Sequence, residues 1–123
     1  MSRPIAKVRF LAEADRICHS TSARVEAAAD DLATSGHDPR PAEARRVALN
    51  VAVPALEAEV QAISSLGSPR GDESEVEAII RATKRGIAQI EADPAGVVDG
   101  PPPALRKAGR LARAYGSTEC ELR

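Results

Sequence analysis

Leu11, Ala14, Cys18, Thr21, Val25, Ala28 and Leu32 recur at alternating intervals of three and four residues. That spacing draws one apolar stripe down a long helix running from about Pro4 to Leu32. Phe10 and Ile17 widen the stripe, and most charged residues lie off it. Pro4 suits a first helical turn, where its missing N–H has no partner to lose. Thr34-Ser35-Gly36 stops the helix, and His37-Asp38-Pro39-Arg40-Pro41 reads as a turn.

A second helix is predicted from about Pro41 to Leu66, with Leu49, Val53, Leu56, Val60 and Ile63 as its stripe. Val47, Val51 and Ala55 extend it toward another face. Pro54 falls inside this pattern. It has no N–H for the carbonyl of Asn50, and its ring crowds that turn, so the expectation is a kink in a continuing helix. Gly67-Ser68-Pro69-Arg70-Gly71 ends the segment.

The third helix opens on Asp72-Glu73-Ser74-Glu75, which resembles a capping box with Asp as its first member. Val76, Ile79, Ile80, Thr83, Ile87 and Ile90 form its stripe. Gly86 interrupts it and weakens the helix by roughly 1 kcal/mol relative to Ala, which suits a close neighbouring helix. Asp93-Pro94 closes the segment, and Ala95 to Pro103 reads as an irregular connection. A fourth helix follows from about Pro103 to Tyr115, with Leu105, Ala108, Leu111, Ala112 and Tyr115 facing inward. Gly116 fits the left-handed position beyond a helix end. A tail from Ser117 to Arg123 carries Cys120. Four apolar stripes with short connections predict a single all-α domain over residues 1–123, an antiparallel up-down-up-down four-helix bundle. No strand alternation and no internal repeat is present in the sequence.

The chain has 123 residues and is 43% hydrophobic, yet it holds one Phe, one Tyr and no Trp. The core must be thin and built from Ala, Val, Leu and Ile, so burial alone gives limited stability and a cross-link would help. Lys and Arg number 17 against 18 Asp and Glu, a net charge of −1. That balance argues against nucleic acid or anionic lipid as a partner. The longest uncharged stretch in the helical region, Val47 to Leu56, is far short of the roughly 20 residues of a membrane helix. The opening MSRPIAKVRF has no apolar core of a signal peptide and no small-residue cleavage site, so the chain as given reads as cytoplasmic.

Cys18 lies on the first stripe, and Cys120 lies just past the last helix. If the fourth helix runs antiparallel to the first, the tail emerges near the first half of helix one. By position alone the two thiols are either a bridge or two unrelated cysteines.

The stretch Phe10-Leu11-Ala12-Glu13-Ala14-Asp15-Arg16-Ile17-Cys18 resembles the opening of small secreted or lipid-anchored helical proteins of high-GC Gram-positive bacteria. Those carry an F-x-x-x-A-D-x-I-C helix, a proline-marked helix pair and an A-x-x-x-G-x-x-x-C tail. Here the tail is Ala112-Arg113-Ala114-Tyr115-Gly116-Ser117-Thr118-Glu119-Cys120. The linker Leu66-Gly67-Ser68-Pro69-Arg70-Gly71-Asp72 is similar as well. The resemblance covers nearly the whole chain, apart from the leader or lipobox that its N-terminus lacks. It implies that Cys18 and Cys120 pair and that the protein works outside the cytoplasm. The family is largely without assigned activity, so the resemblance implies a fold and a redox state and not a function.

Candidate chemistry is sparse. Asp15, His19 and Ser22 share one helical stripe, but a Ser–His–Asp site also needs an oxyanion hole and a pocket, so they read as a solvated polar face. Cys18 and His19 point about 100° apart on a helix and form no thiolate–imidazolium pair. Cys18, His19, His37 and Cys120 have none of the close spacings of a zinc site, and no metal or cofactor is expected. Asp30-Asp31, Glu57/Glu59 and Glu73/Glu75/Glu77 read as solvated carboxylates. Arg106, Lys107, Arg110 and Arg113 make the fourth helix a basic interaction face, expected to pair with acidic residues of helix one such as Glu13, Asp15, Glu26 or Asp30. The reading that follows is a non-enzymatic cell-envelope bundle that binds an unknown protein partner or serves as a structural component. The alternative is an intracellular interaction module with reduced cysteines, a homodimer through the surplus apolar face of helix two.

Overall fold

The computed structural model describes residues 4–121; Met1–Arg3 of the opening stretch and Leu122–Arg123 of the tail lie outside the described residues. Within them the chain is all-helical, and no strand occurs among the described residues.

Helix α1 (Lys7–Ala33) begins three residues later than its proline suggested. Ala6 is extended (φ −67°, ψ 143°), so Pro4 precedes the helix rather than joining its first turn. Phe10, Ala14, Cys18 and Thr21 are buried, while Val25, Ala28 and Leu32 farther along the same stripe are only half-buried.

The second segment is one rod in three parts: α2 (Pro41–Val47), a π turn (Ala48–Ala52) and α3 (Val53–Leu66). Its junctions keep right-handed helical geometry, with Ala48 at φ −58°, ψ −50° and Val53 at φ −61°, ψ −51°. The expected disturbance at Pro54 takes the form of this widened turn. Val53 donates its N–H to the Ala48 carbonyl, five residues back, and Pro54 falls in the first turn of α3, where no N–H is required. Ala44, Ala48, Ala52 and Ala55 are buried along the rod.

Helix α4 (Glu73–Ala92) carries Glu73 and Glu75 in its first turn, favourable against the positive end of the helix dipole. The capping box expected of Asp72 does not form. Its side chain makes no cap hydrogen bond, and Oδ2 instead accepts the Tyr115 hydroxyl at 2.7 Å. The connection expected to be irregular contains a 3-10 turn (Pro94–Asp99) that packs against α2. Helix α5 (Pro103–Tyr115) starts where Gln89 Oε1 accepts the Ala104 N–H at 3.0 Å. It ends at Gly116 (φ 121°), with Ser117 donating its N–H back to the Ala112 carbonyl at 2.9 Å.

The segments run up-down-up-down: α1 packs on the rod, α3 on α4, and α4 on α5. Two apolar clusters hold them. One joins Phe10, Ala14 and Cys18 to Ile63, Val76 and Tyr115, with the Phe10 and Tyr115 rings edge-to-face at 6.0 Å. The other joins Ala48, Val53 and Leu56 to Ile87, Ile90 and Leu105. Gly86 sits at the α4–α5 contact, where an added Cβ would fall 2.9 Å from the Leu105 Cβ and 3.0 Å from its backbone nitrogen. The close helix approach that the glycine suggested is present. The backbones of α1 and α5 do not pack on each other.

Candidate functional site

The gap between α1 and α5 is bridged by the tail. Cys18 and Cys120 form a disulfide across 102 positions, with Cα atoms 4.9 Å apart. One turn earlier on α1, Asp15 receives the same tail. Its Oδ1 accepts the Ser117 hydroxyl at 2.6 Å, the Thr118 N–H at 3.1 Å and the Glu119 N–H at 3.3 Å. Its Oδ2 accepts the Thr118 hydroxyl at 3.1 Å. Ser117 Oγ then accepts the Cys120 N–H at 3.2 Å. A carboxylate aimed at two successive backbone N–H groups caps the tail as it would cap a helix. On the other side the tail lies against Gly109, where a Cβ would meet Glu121 Cα at 3.1 Å. Asp15 is thus a half-buried anchor and not part of a solvated face.

With the tail held there, an open groove of about 520 Å³ remains between α1 and α5. Its α1 wall presents His19, Ser22, Val25, Glu26 and Ala29. Leu56, Ile90 and Leu105 lie at its floor, and Thr118, Glu119 and Glu121 of the tail form the facing edge. Val97, Pro101 and Pro102 of the α4–α5 connection close one end. The half-buried state of Val25 follows from this: the stripe of α1 continues past the point where a helix covers it. Of the three residues weighed as a triad, His19 and Ser22 reach the groove, while Asp15 is committed to the tail. His19 Nδ1 lies 3.6 Å from Glu119 Oε2, and no hydrogen bond joins His19 to Ser22 among the described residues. In this arrangement the imidazole is turned to the tail carboxylate and not to the Ser22 hydroxyl.

One carboxylate overturns its reading. Glu57 is exposed, but Glu59 on α3 sits beside a void of about 30 Å³ lined by both half-cystines, Thr83 and Ala108. Burial pushes its pKa from 4.5 to about 7, and the neighbouring Thr21 hydroxyl offsets this only in part. Tyr115 is likewise held well above the ordinary phenol range, first by burial and then by donating to Asp72. Glu43 moves the other way, lowered chiefly by the Arg40 N–H it accepts and next by His37, whose Nε2 lies 2.9 Å away.

Among the described residues the basic face of α5 makes no ion pair with helix one. Glu13 is taken by Arg16 within α1, and Asp15 by the tail. Arg113 meets Glu121 at 3.3 Å, and Arg106 donates to the Pro101 carbonyl at 3.0 Å. Lys107 and Arg110 are exposed and have no ion pair among the described residues. The carboxylate that reaches Arg113 is the tail's own Glu121. His37 is engaged by Glu43 in the α1–α2 connection, away from the cysteines, and no cluster of three metal-ligating side chains occurs among the described residues. The surplus face of the second segment is partly used within the chain: Ala55 is buried, Val47 and Val51 are half-buried, and α2 packs on the 3-10 turn.

Two features of the site escaped the sequence reading. Gly109 in α5 is a signal for a backbone lying on the helix, and Asp15 at three residues before Cys18 is a signal for a capped tail. No helix among the described residues is long and apolar enough to cross a membrane. No protein-family model, curated protein or solved structure matches the chain.

Proposed function

We propose that this chain is a non-enzymatic helical binding module of the cell envelope, and that its ligand seats in the groove between α1 and the tail. The observation that carries this reading is the double fixation of the tail, by Cys18–Cys120 and by Asp15, at the edge of a groove of about 520 Å³. A wall fixed before binding spares a ligand the cost of ordering it. The groove volume falls within the roughly 300–1,000 Å³ typical of ligand sites. Disulfides of this kind persist in oxidising compartments and are rare in the cytosol, which supports the extracytoplasmic location.

The test is intact mass of the protein taken from its native cells, with thiols trapped by alkylation under denaturing, non-reducing conditions. A mass two hydrogens below the reduced chain, with no alkyl group added, is the expected result. Two alkyl groups would overturn the envelope reading and leave a cytoplasmic interaction module.

A further inference from the structure

We propose that the groove takes an extended or helical peptide segment of a partner protein that combines apolar side chains with Lys or Arg. This rests on the groove being the binding site. The floor is apolar: Leu56 is 1% exposed, Ile90 3% and Leu105 7%, so each shows the groove only a small aliphatic surface. The ionisable groups that line it are Glu26, Glu119 and Glu121 against the single imidazole of His19. Of these, Glu119 faces His19 and Glu121 faces Arg113, so Glu26 has no ion-pair partner among the described residues. Asp30, four residues beyond Glu26 and exposed, continues the same stripe of α1 beyond Ala29, the last groove residue of that helix. Arg24 points to the opposite side of the helix, about 140° from His19. A cationic side chain laid along α1 therefore meets Glu26 and then Asp30, while its apolar neighbours reach the floor.

The α1 wall from His19 to Ala29 is about 15 Å long at 1.5 Å per residue, enough for about five extended residues or ten helical ones. That length, along a wall where His19, Ala23, Glu26 and Ala29 are exposed, suits a segment of a longer chain. None of the chain's own cations pairs with Glu26 among the described residues. Arg113 is matched to Glu121, and Arg106 turns back to the Pro101 carbonyl.

The experiment uses two synthetic peptides of about ten residues, one of Leu and Lys in amphipathic order and one with Glu in place of each Lys. Each is titrated into the oxidised protein and followed by amide chemical shifts and calorimetry, in the wild type and in Glu26→Gln/Glu119→Gln. The Leu–Lys peptide should shift groove residues and bind roughly tenfold or more tighter than the Leu–Glu peptide, a preference the double variant should largely erase. If both peptides bind the groove equally, or the acidic one binds better, the cationic chemistry fails while the groove stands as the site. If neither peptide shifts groove residues, or the shifts fall elsewhere, the groove reading fails with it. Ala29→Trp, placed at an exposed helical position on the wall, should block the Leu–Lys peptide while leaving the thermal transition unchanged; undiminished binding would also count against the groove.

Discussion

Asp15 and Ser117, 102 residues apart, share a hydrogen bond of 2.6 Å, and through it one carboxylate on the first helix organises the chain beyond the last. Four donors from three consecutive residues converge on that side chain. Asp15→Ala should lower the unfolding free energy of the disulfide-intact protein by about 1–2 kcal/mol, because the buried Ser117 hydroxyl loses a charged acceptor while the exposed Thr118 and Glu119 donors can turn to water. Urea denaturation reads the loss, and hydrogen exchange at the Thr118 and Glu119 amides should speed up. Unchanged protection would mean that the disulfide alone positions the tail.

Removing the disulfide acts on the unfolded chain. Cys18 and Cys120 close a loop across 102 positions, which the chain-entropy account values at about 4–5 kcal/mol. Cys120→Ser should lose an amount of that order in chemical denaturation. Reductant should bring the wild type down to the same midpoint and leave the variant where it is. A variant as stable as the oxidised wild type would show that the covalent tie adds nothing to the Asp15 anchor.

Gly86→Ala tests which of two opposed effects wins. Helix propensity alone predicts a gain of about 1 kcal/mol from the substitution. The new Cβ, however, falls 2.9 Å from the Leu105 Cβ and 3.2 Å from its Cα, and backbone cannot swing aside as a flexible side chain can. Overpacking of this kind costs typically 1–3 kcal/mol, so a net lowering of the thermal midpoint is expected. A raised midpoint would mean that α4 and α5 stand farther apart than described.

Glu59 makes stability fall as pH rises. Its folded pKa is raised from 4.5 to about 7, so the folded state holds the proton more tightly than the unfolded chain. Below about pH 4.5 both states are protonated and there is no penalty. Between 4.5 and 7 only the unfolded state ionises freely, and above 7 the full penalty applies, up to about 3 kcal/mol. Glu59→Gln should be close to neutral at pH 4.5 and stabilising at pH 8. The readout is the difference between variant and wild-type urea midpoints across that range, which cancels the other carboxylates. A flat difference would place Glu59 in water.

Periodicity revealed the helices because each one buries a stripe: the runs through Ala14 and Cys18, through Leu56 and Ile63, and through Val76, Ile87 and Ile90 all lie in the core. What it missed depends on partners distant in sequence. Pro54 announces a disturbed helix, but whether the turn bends or widens is settled by what packs beside Ala48 and Ala52. Asp72 has the look of a cap, yet Tyr115, 43 residues on, supplies a better-placed donor. Glu59 shares its helix with solvated Glu57 and differs from it only in facing the disulfide. Val25 and Glu26 read as stripe and surface of an ordinary helix; that they line a groove follows from α5 staying apart from α1, with a tail of five described residues set between them.

The bridge turns residues 18–120 into a covalent ring that contains every connection between the helices. A single cut in the exposed 34–40 connection, or between Gly67 and Asp72, therefore opens the ring into a line without releasing a fragment. Both pieces stay joined through sulfur, and the helices keep their neighbours within reach. Nicked protein should migrate as one species until reductant is added. A chain with a thin aliphatic core can thus outlast a proteolytic cut that would dismantle the same bundle held by packing alone.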